Sequence, residues 1–395
     1  MKVQSSLFAL AGLTALLSAC GTTTAPTETD PYAGHVYAQS NAASNTVVSY
    51  GRSADGKLTK LGEVSTGGNG SDGKLVVVKP GKAAVDPLFS NDSVLLTPDH
   101  QRLFVTNAGS GSVSAFSLDA SGAPKLVGTY PSGAANPTSL SVSGELLYVS
   151  HGDASAQNVQ ITGFRIGADG SLTAIPAASY APSKASVITQ VKFSPDAKFL
   201  QTSELMNDII ALYPVAANGT LGAPVQNASV AAGKGVFGTA WLDSTHLLVS
   251  EAMSGSVSSY AVDASGKLTP ISAAVPNNQK ATCWLKITPD KKFVYASNTS
   301  SGNVSVYRIG ADASLTLVNA VAASLPAGGA VDFMDNPSSG TVDLVISADG
   351  KYLYQQYSGL GVVAAYSIGS DGNLTPIAGG DATGLPIGTE GLAGY

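Results

Sequence analysis

The chain has 395 residues, of which 12% are charged and 44 are glycine. That balance fits short strands joined by many turns and excludes a protein built from long solvated helices. The net charge of −6 comes with no basic stripe, which excludes nucleic acid as a partner.

The first segment is not part of the fold. Lys2 precedes an apolar run from Leu7 to Leu17, too short to span a bilayer, so residues 1–19 read as an export signal. The ending Leu17-Ser18-Ala19-Cys20, with Gly21 next, resembles the bacterial lipobox, in which the cysteine is lipidated and becomes the new N-terminus. Cys20 is therefore the expected lipidation site, and each acyl methylene would add ~0.8 kcal/mol of membrane affinity. Residues 20–34, the lipidated cysteine and a Thr/Pro-rich tether, hold the remainder off the surface. This predicts a cell-envelope protein, lipid-anchored to a bacterial membrane (the outer membrane or cell surface) and touching it only through the anchor. Cys283 is then the single remaining thiol, and no disulfide is available.

From His35 onward one unit recurs seven times, each copy placing an aromatic residue at the end of a V/I-x-x-Y/F run. The markers are Tyr50, Phe116, Phe164, Tyr213, Tyr260, Tyr307 and Tyr366, with spacings of 66, 48, 49, 47, 47 and 59 residues. The shorter spacings match one propeller blade. Within the copy from Leu285 to Val318, LKIT, FVYASN, VSVYRI and LTLV read as four strands. Thr288-Pro289-Asp290-Lys291, Ser300 to Asn303 and Ala311 to Ser314 separate them. Asp-Gly and Asn-Gly pairs such as Asp55-Gly56, Asp169-Gly170 and Asn218-Gly219 supply the tight hairpins. The first copy begins at its second strand, His35 to Gln39, so its inner strand must come from elsewhere. The tail between Leu385 and Tyr395 is the natural donor, and its pairing would close the ring and hide both sheet edges. Thr66 to Asp92 and Pro326 to Gly340 stretch the period and read as insertions between blades. The expected fold is all-β, a seven-bladed β-propeller of four-stranded antiparallel blades over residues 35–395, closed by the C-terminal strand.

Strand alternation puts the Asp/Gly hairpins on one face and the variable loops on the other, so chemistry is expected on the loop face, around the axis. His151, Glu204 and Glu251 lie there from blades three to five, with Lys184, Lys234, Lys280 and Trp284 at entries to inner strands. The lysines would hold a carboxylate or phosphate, Trp284 and Phe237 would pack an apolar part, and Glu251 or Glu204 would act as base. The alternative is solvated rim lysines and glutamates that bond backbone amides. The four histidines have no metal-ligand spacing, so neither a metal nor a cofactor is expected. Cys283 reads as a small buried residue. The expected partners are a small anionic molecule or a protein on the loop face, bound by a monomer.

The repeats S/T-P-D-x-x-F/L-x-Y/V-x-S/T-N and V-S-x-Y/F-x-I/V-x-x-x-G-x-L-T resemble the bacterial lactonase-like seven-bladed propellers. That family includes 6-phosphogluconolactonases and carboxymuconate cyclases. The likeness runs from about His35 to Ile377 and is closest in Val105 to Ser110, Val249 to Ala252 and Ala281 to Trp284. It implies a lactonase or cyclase. Catalytic members, however, carry His-x-His entering the fourth inner strand, where this chain has Ala185 to Gln190. They carry Pro-Arg-His entering the fifth, where it has Gly235 to Thr239, and Asn-Arg where it has Asn298-Thr299. Of the family's polar set, Glu251 is kept. Two functions follow from the sequence: an envelope propeller that binds a small ligand or protein on its loop face, or a lactonase- or cyclase-type enzyme acting on a lactone or carboxylated sugar.

Overall fold

The computed structural model describes residues 1, 30–152, 160–181, 186–230 and 235–395. The leader, Cys20, Lys184 and Lys234 lie outside them. The described strands form seven antiparallel sheets of four strands, and in blade 7 a short extra strand, Ala382–Thr383, pairs with the third. Seven inner strands surround one axis: Leu392–Gly394, Val94–Leu96, Pro137–Ser143, Ile188–Phe193, Val236–Asp243, Thr282–Ile287 and Thr341–Ile346, for blades 1 to 7 in turn. The first of these is the C-terminal tail. Leu392, Ala393 and Gly394 pair with Ala38, Tyr37 and Val36, so the ring closes as the sequence predicts.

The repeat works because period-2 alternation lets both faces of every blade pack against a neighbour. All seven marker aromatics are buried. A second repeated device joins blade to blade. The second strands of blades 1, 3, 6 and 7 carry Tyr37, Tyr148, Tyr295 and Tyr354. These donate to the carbonyls of Gly122, Gly219, Gly372 and Gly56, each in the last hairpin of the following blade. The Tyr354–Gly56 bond links blade 7 to blade 1 across the seam. Each bond is worth about 1 kcal/mol and sets the angle between adjacent sheets. Phe104, Gln201 and Leu248 stand at this place in blades 2, 4 and 5.

The first insertion does more than lengthen a loop. Residues 66–93 cross the loop-face mouth of the ring and close it. Asn136 Nδ2 donates to Val76 O, Ser90 Oγ to Thr138 O, and Asn91 N to Thr189 O, which ties the segment to blades 3 and 4. Ser358 Oγ donates to Val85 O, and Leu88 N donates to Glu390 Oε2, tying it to blades 7 and 1. Leu75, Val77, Ala84 and Phe89 join one buried cluster with Phe237, Cys283, Trp284 and Tyr357. Burying them supplies the drive at roughly 25 cal/mol per Å². Gly152 makes room for the segment, since a Cβ there would collide with Val77.

Candidate functional pocket on the loop face

Every second strand ends on the loop face, at Gln39, Asn107, His151, Glu204, Glu251, Asn298 and Tyr357. All seven side chains are buried. Asn107 donates to the hydroxyls of Ser112 and Ser114, and Asn298 donates to Asn303 and Ser305. Glu251 makes the same two contacts with reversed polarity, accepting from Ser256 at 2.8 Å and Ser258 at 2.5 Å. The partners lie five and seven residues ahead in each case, so all three side chains staple the hairpin they begin. Burial raises the Glu251 carboxyl above its ordinary value, against the pull of the two serines.

His151 and Glu204 occupy the same register. His151 Nδ1 lies 3.2 Å from Gln160 O, and burial pushes the imidazole down to about 4, so it is neutral. Glu204 accepts from Asn207 at 3.2 Å and is raised by burial. Trp284 is buried beneath Phe237, with ring centroids 5.3 Å apart. Lys280 is exposed.

The loop face holds a pocket of about 290 Å³, displaced from the axis because residues 66–93 fill the centre. Asp86 and Phe89 from that segment form one wall. Ala252 and Met253 of blade 5 and Lys280, Cys283 and Thr299 of blade 6 form others, and Phe333 and Met334 of the second insertion cover it. Phe89 packs edge-on against both Phe237 and Phe333, at 5.5 and 5.4 Å. Of the residues singled out from sequence, Lys280, Phe237 and Cys283 line this pocket. His151, Glu204, Glu251 and Trp284 do not, and blade 3, expected to contribute, supplies no lining residue among the described ones. Cys283 is a free thiol that burial pushes well up, which makes it a poor nucleophile.

Asp86 is the group that sequence reading missed. Its carboxyl accepts from Phe89 N at 3.0 Å, in a turn where Phe89 adopts a φ of 55°, a costly backbone for an aromatic residue. Behind it lies Glu390, fully buried, with Oε2 taking Leu88 N and Oε1 without an amide or hydroxyl donor among the described residues. Burial raises both carboxyls, and the charge of Asp86 pushes Glu390 further. Two buried carboxyls that feel each other's charge do not both ionise readily, so the pair holds a proton where a lone exposed carboxyl would have lost it. The available signal was the sequence Val85-Asp86-Pro87-Leu88-Phe89, an acid set in an apolar run inside an insertion.

A single-chain propeller with a plugged centre and an acid-lined, mainly apolar pocket on its variable face is therefore the class of protein that the fold and site define. Residues 239–379, covering most of blades 5 to 7, match the family described as "Lactonase, 7-bladed beta-propeller". No curated protein matches the chain. A crystal structure from Bacteroides fragilis, provisionally described as a 6-phosphogluconolactonase, is similar at 19% identity and TM-score 0.68, covering 94% of this chain and all of that one. One from Bacteroides uniformis with the same provisional description gives 15% and 0.70, over 92% and 99% of the two chains. The periplasmic gluconolactonase of Pseudomonas aeruginosa gives 17% and 0.68, over 91% and 98%. At these identities the likeness establishes the fold.

Proposed function

We propose that the protein is a lactonase-like propeller of the cell envelope that takes up a small, largely apolar molecule on its loop face and opens a lactone ring there. The observation that carries this reading is the Asp86–Glu390 pair, a proton-holding carboxyl couple in the wall of an otherwise apolar pocket. Asp86, once ionised, removes a proton from water as the water oxygen attacks the lactone carbonyl carbon. The acyl C–O bond then breaks, and the departing ring oxygen takes a proton from the pair, leaving a hydroxy acid. Lys280 at the rim faces the carboxylate that forms. This role replaces the one considered for Glu251, whose two oxygens are occupied by Ser256 and Ser258.

A phosphorylated sugar is a poor match, because the described lining holds one cation, Lys280, against Asp86 and Asp332. Aromatic and methionine walls favour a lactone with a hydrocarbon or aromatic substituent. The export-type leader and the lipobox-like Cys20 support an activity outside the cytoplasm, at a membrane surface. The test is a panel of alkyl- and aryl-substituted lactones assayed by acid release. Hydrolysis should be saturable and should fall ~10²-fold or more in Asp86→Asn, with Glu251→Gln near wild type. A panel without turnover but with saturable binding would reduce the protein to a binding propeller. Activity lost in Glu251→Gln and kept in Asp86→Asn would return the base to Glu251.

A further inference from the structure

Methionine is ordinarily a core residue, and this chain uses it otherwise. It has four, and the three that follow the leader, Met206, Met253 and Met334, are 61%, 62% and 59% exposed. Among the described residues no methionine stands in the buried core. All three lie on the loop face, although they come from different elements. Met206 follows Phe199–Glu204 of blade 4, Met253 follows His246–Glu251 of blade 5, and Met334 belongs to the second insertion.

Two of them are walls of the pocket. Met253 and Met334 line it together with Phe237, Ala252 and Phe333. Both are held in place from below. Gly235, at a φ of 71°, lets Met253 and Leu205 close over it, since a Cβ there would stand 3.0 Å from Met253 Cγ and 3.1 Å from Leu205 Cδ1. Asp332 accepts from Met334 N at 2.8 Å and fixes the turn that carries this side chain. The pocket therefore presents two accessible thioethers at fixed places in a mainly apolar wall.

An accessible thioether is oxidised by peroxide, and the change is reversible. A sulfur lone pair attacks one peroxide oxygen and the O–O bond breaks. The hydroxide released takes the proton from the new S–OH group, so the products are a sulfoxide and water. The sulfoxide oxygen is a strong hydrogen-bond acceptor, and seating an apolar group against it strips it of water.

We propose that Met253 and Met334 form a reversible modification site, at which oxidation by peroxide to the sulfoxides closes the loop-face pocket to apolar molecules. Met206 does not line the pocket and is oxidised without that effect. The inference rests on the pocket's taking up an apolar molecule and stands whether or not a lactone ring is opened there.

Fluorescence titration with N-phenyl-1-naphthylamine, an uncharged aromatic probe, before and after treatment with hydrogen peroxide tests the site. Peptide mass spectrometry should find an added oxygen on Met206, Met253 and Met334. The Kd of the probe should rise about tenfold or more, as burial of an unsatisfied polar group requires. The two epimer-specific methionine sulfoxide reductases, with a dithiol, should restore it. Met253→Leu/Met334→Leu keeps Met206 and Cys283, so it separates the site from oxidation elsewhere. This variant should bind the probe as the parent does, and peroxide should leave its Kd unchanged. Sulfoxides at Met253 and Met334 with unchanged affinity, an equal loss in the double variant, or no saturable probe binding before oxidation would overturn the proposal. Lactone turnover is not read by the probe, so failure of ring opening and failure of this site give different results.

Discussion

The seven blades and the 66–93 segment both bury apolar side chains, but they hold their place by different means. A blade is fixed by its ladders and its marker aromatic, which recur in every copy, and in blades 1, 3, 6 and 7 by a tyrosine latch to the next hairpin. The plug has one isolated bridge, Lys74 to Ala83, and is otherwise fixed by bonds that follow no repeat, among them those to blades 1, 3, 4 and 7. Repetition therefore builds the ring, and the unrepeated segment shapes the pocket and brings Asp86 to it. The difference teaches where to look in such a chain: the period marks the scaffold, and its interruptions carry the chemistry.

If the ring is the cooperative unit, opening it should have the largest effect. Deletion of Leu385 to Tyr395 removes the inner strand of blade 1, exposes the edge of Gly34–Gln39 and takes Glu390 with it. The melting temperature should fall by at least about 10 °C, or the protein should aggregate. A truncated chain that melts with the parent would mean that blade 1 needs no closure. The plug should be less costly to damage. Phe89→Ala empties the space between Phe237 and Phe333 and should lower stability by ~3–4 kcal/mol, with the far-UV spectrum of the ring unchanged. Loss of blade structure along with it would show that ring and plug are one unit.

The Glu251 staple gives a third, smaller effect. Glu251→Ala strands the hydroxyls of Ser256 and Ser258 in a buried hairpin and should cost about 2 kcal/mol, while Glu251→Gln should stay within about 1 kcal/mol of the parent. Chemical denaturation of the two variants decides it, and equal losses would deny the hydrogen bonds a structural part.

Nearly all of the ring was legible in the sequence, because period-2 alternation, hairpin residues and the aromatic marker agree in every copy. The donated inner strand could be inferred because the first copy lacks one. The pocket could not be read in the same way. Its walls come from two insertions without periodicity, and whether an insertion folds over the axis or away from it depends on contacts distant in sequence. Glu251 looked catalytic through its charge and its place at a strand end, yet Asn107 and Asn298 at the same register show what that place does. The two lysines paired with Asp92 did leave a trace: Val191-Lys192-Phe193 and Leu285-Lys286-Ile287 set a lysine at one register in two inner strands.

The smallest effect belongs to Asp343, buried in the inner strand of blade 7 beneath the plug. A carboxyl raised on folding binds its proton more tightly in the native state than in the unfolded chain. Its contribution to stability therefore falls as pH rises above the unfolded value and levels off once the folded group has ionised. For Asp343, with a folded value of about 8, most of the decline lies below neutrality, and about 1 kcal/mol of it remains between pH 7 and pH 9. Asp343→Asn removes that proton and preserves the shape, so the stability difference between variant and parent should shift toward the variant by this amount across the interval. Parallel stability curves for the two proteins from pH 7 to 9 would mean that Asp343 is already ionised at neutrality.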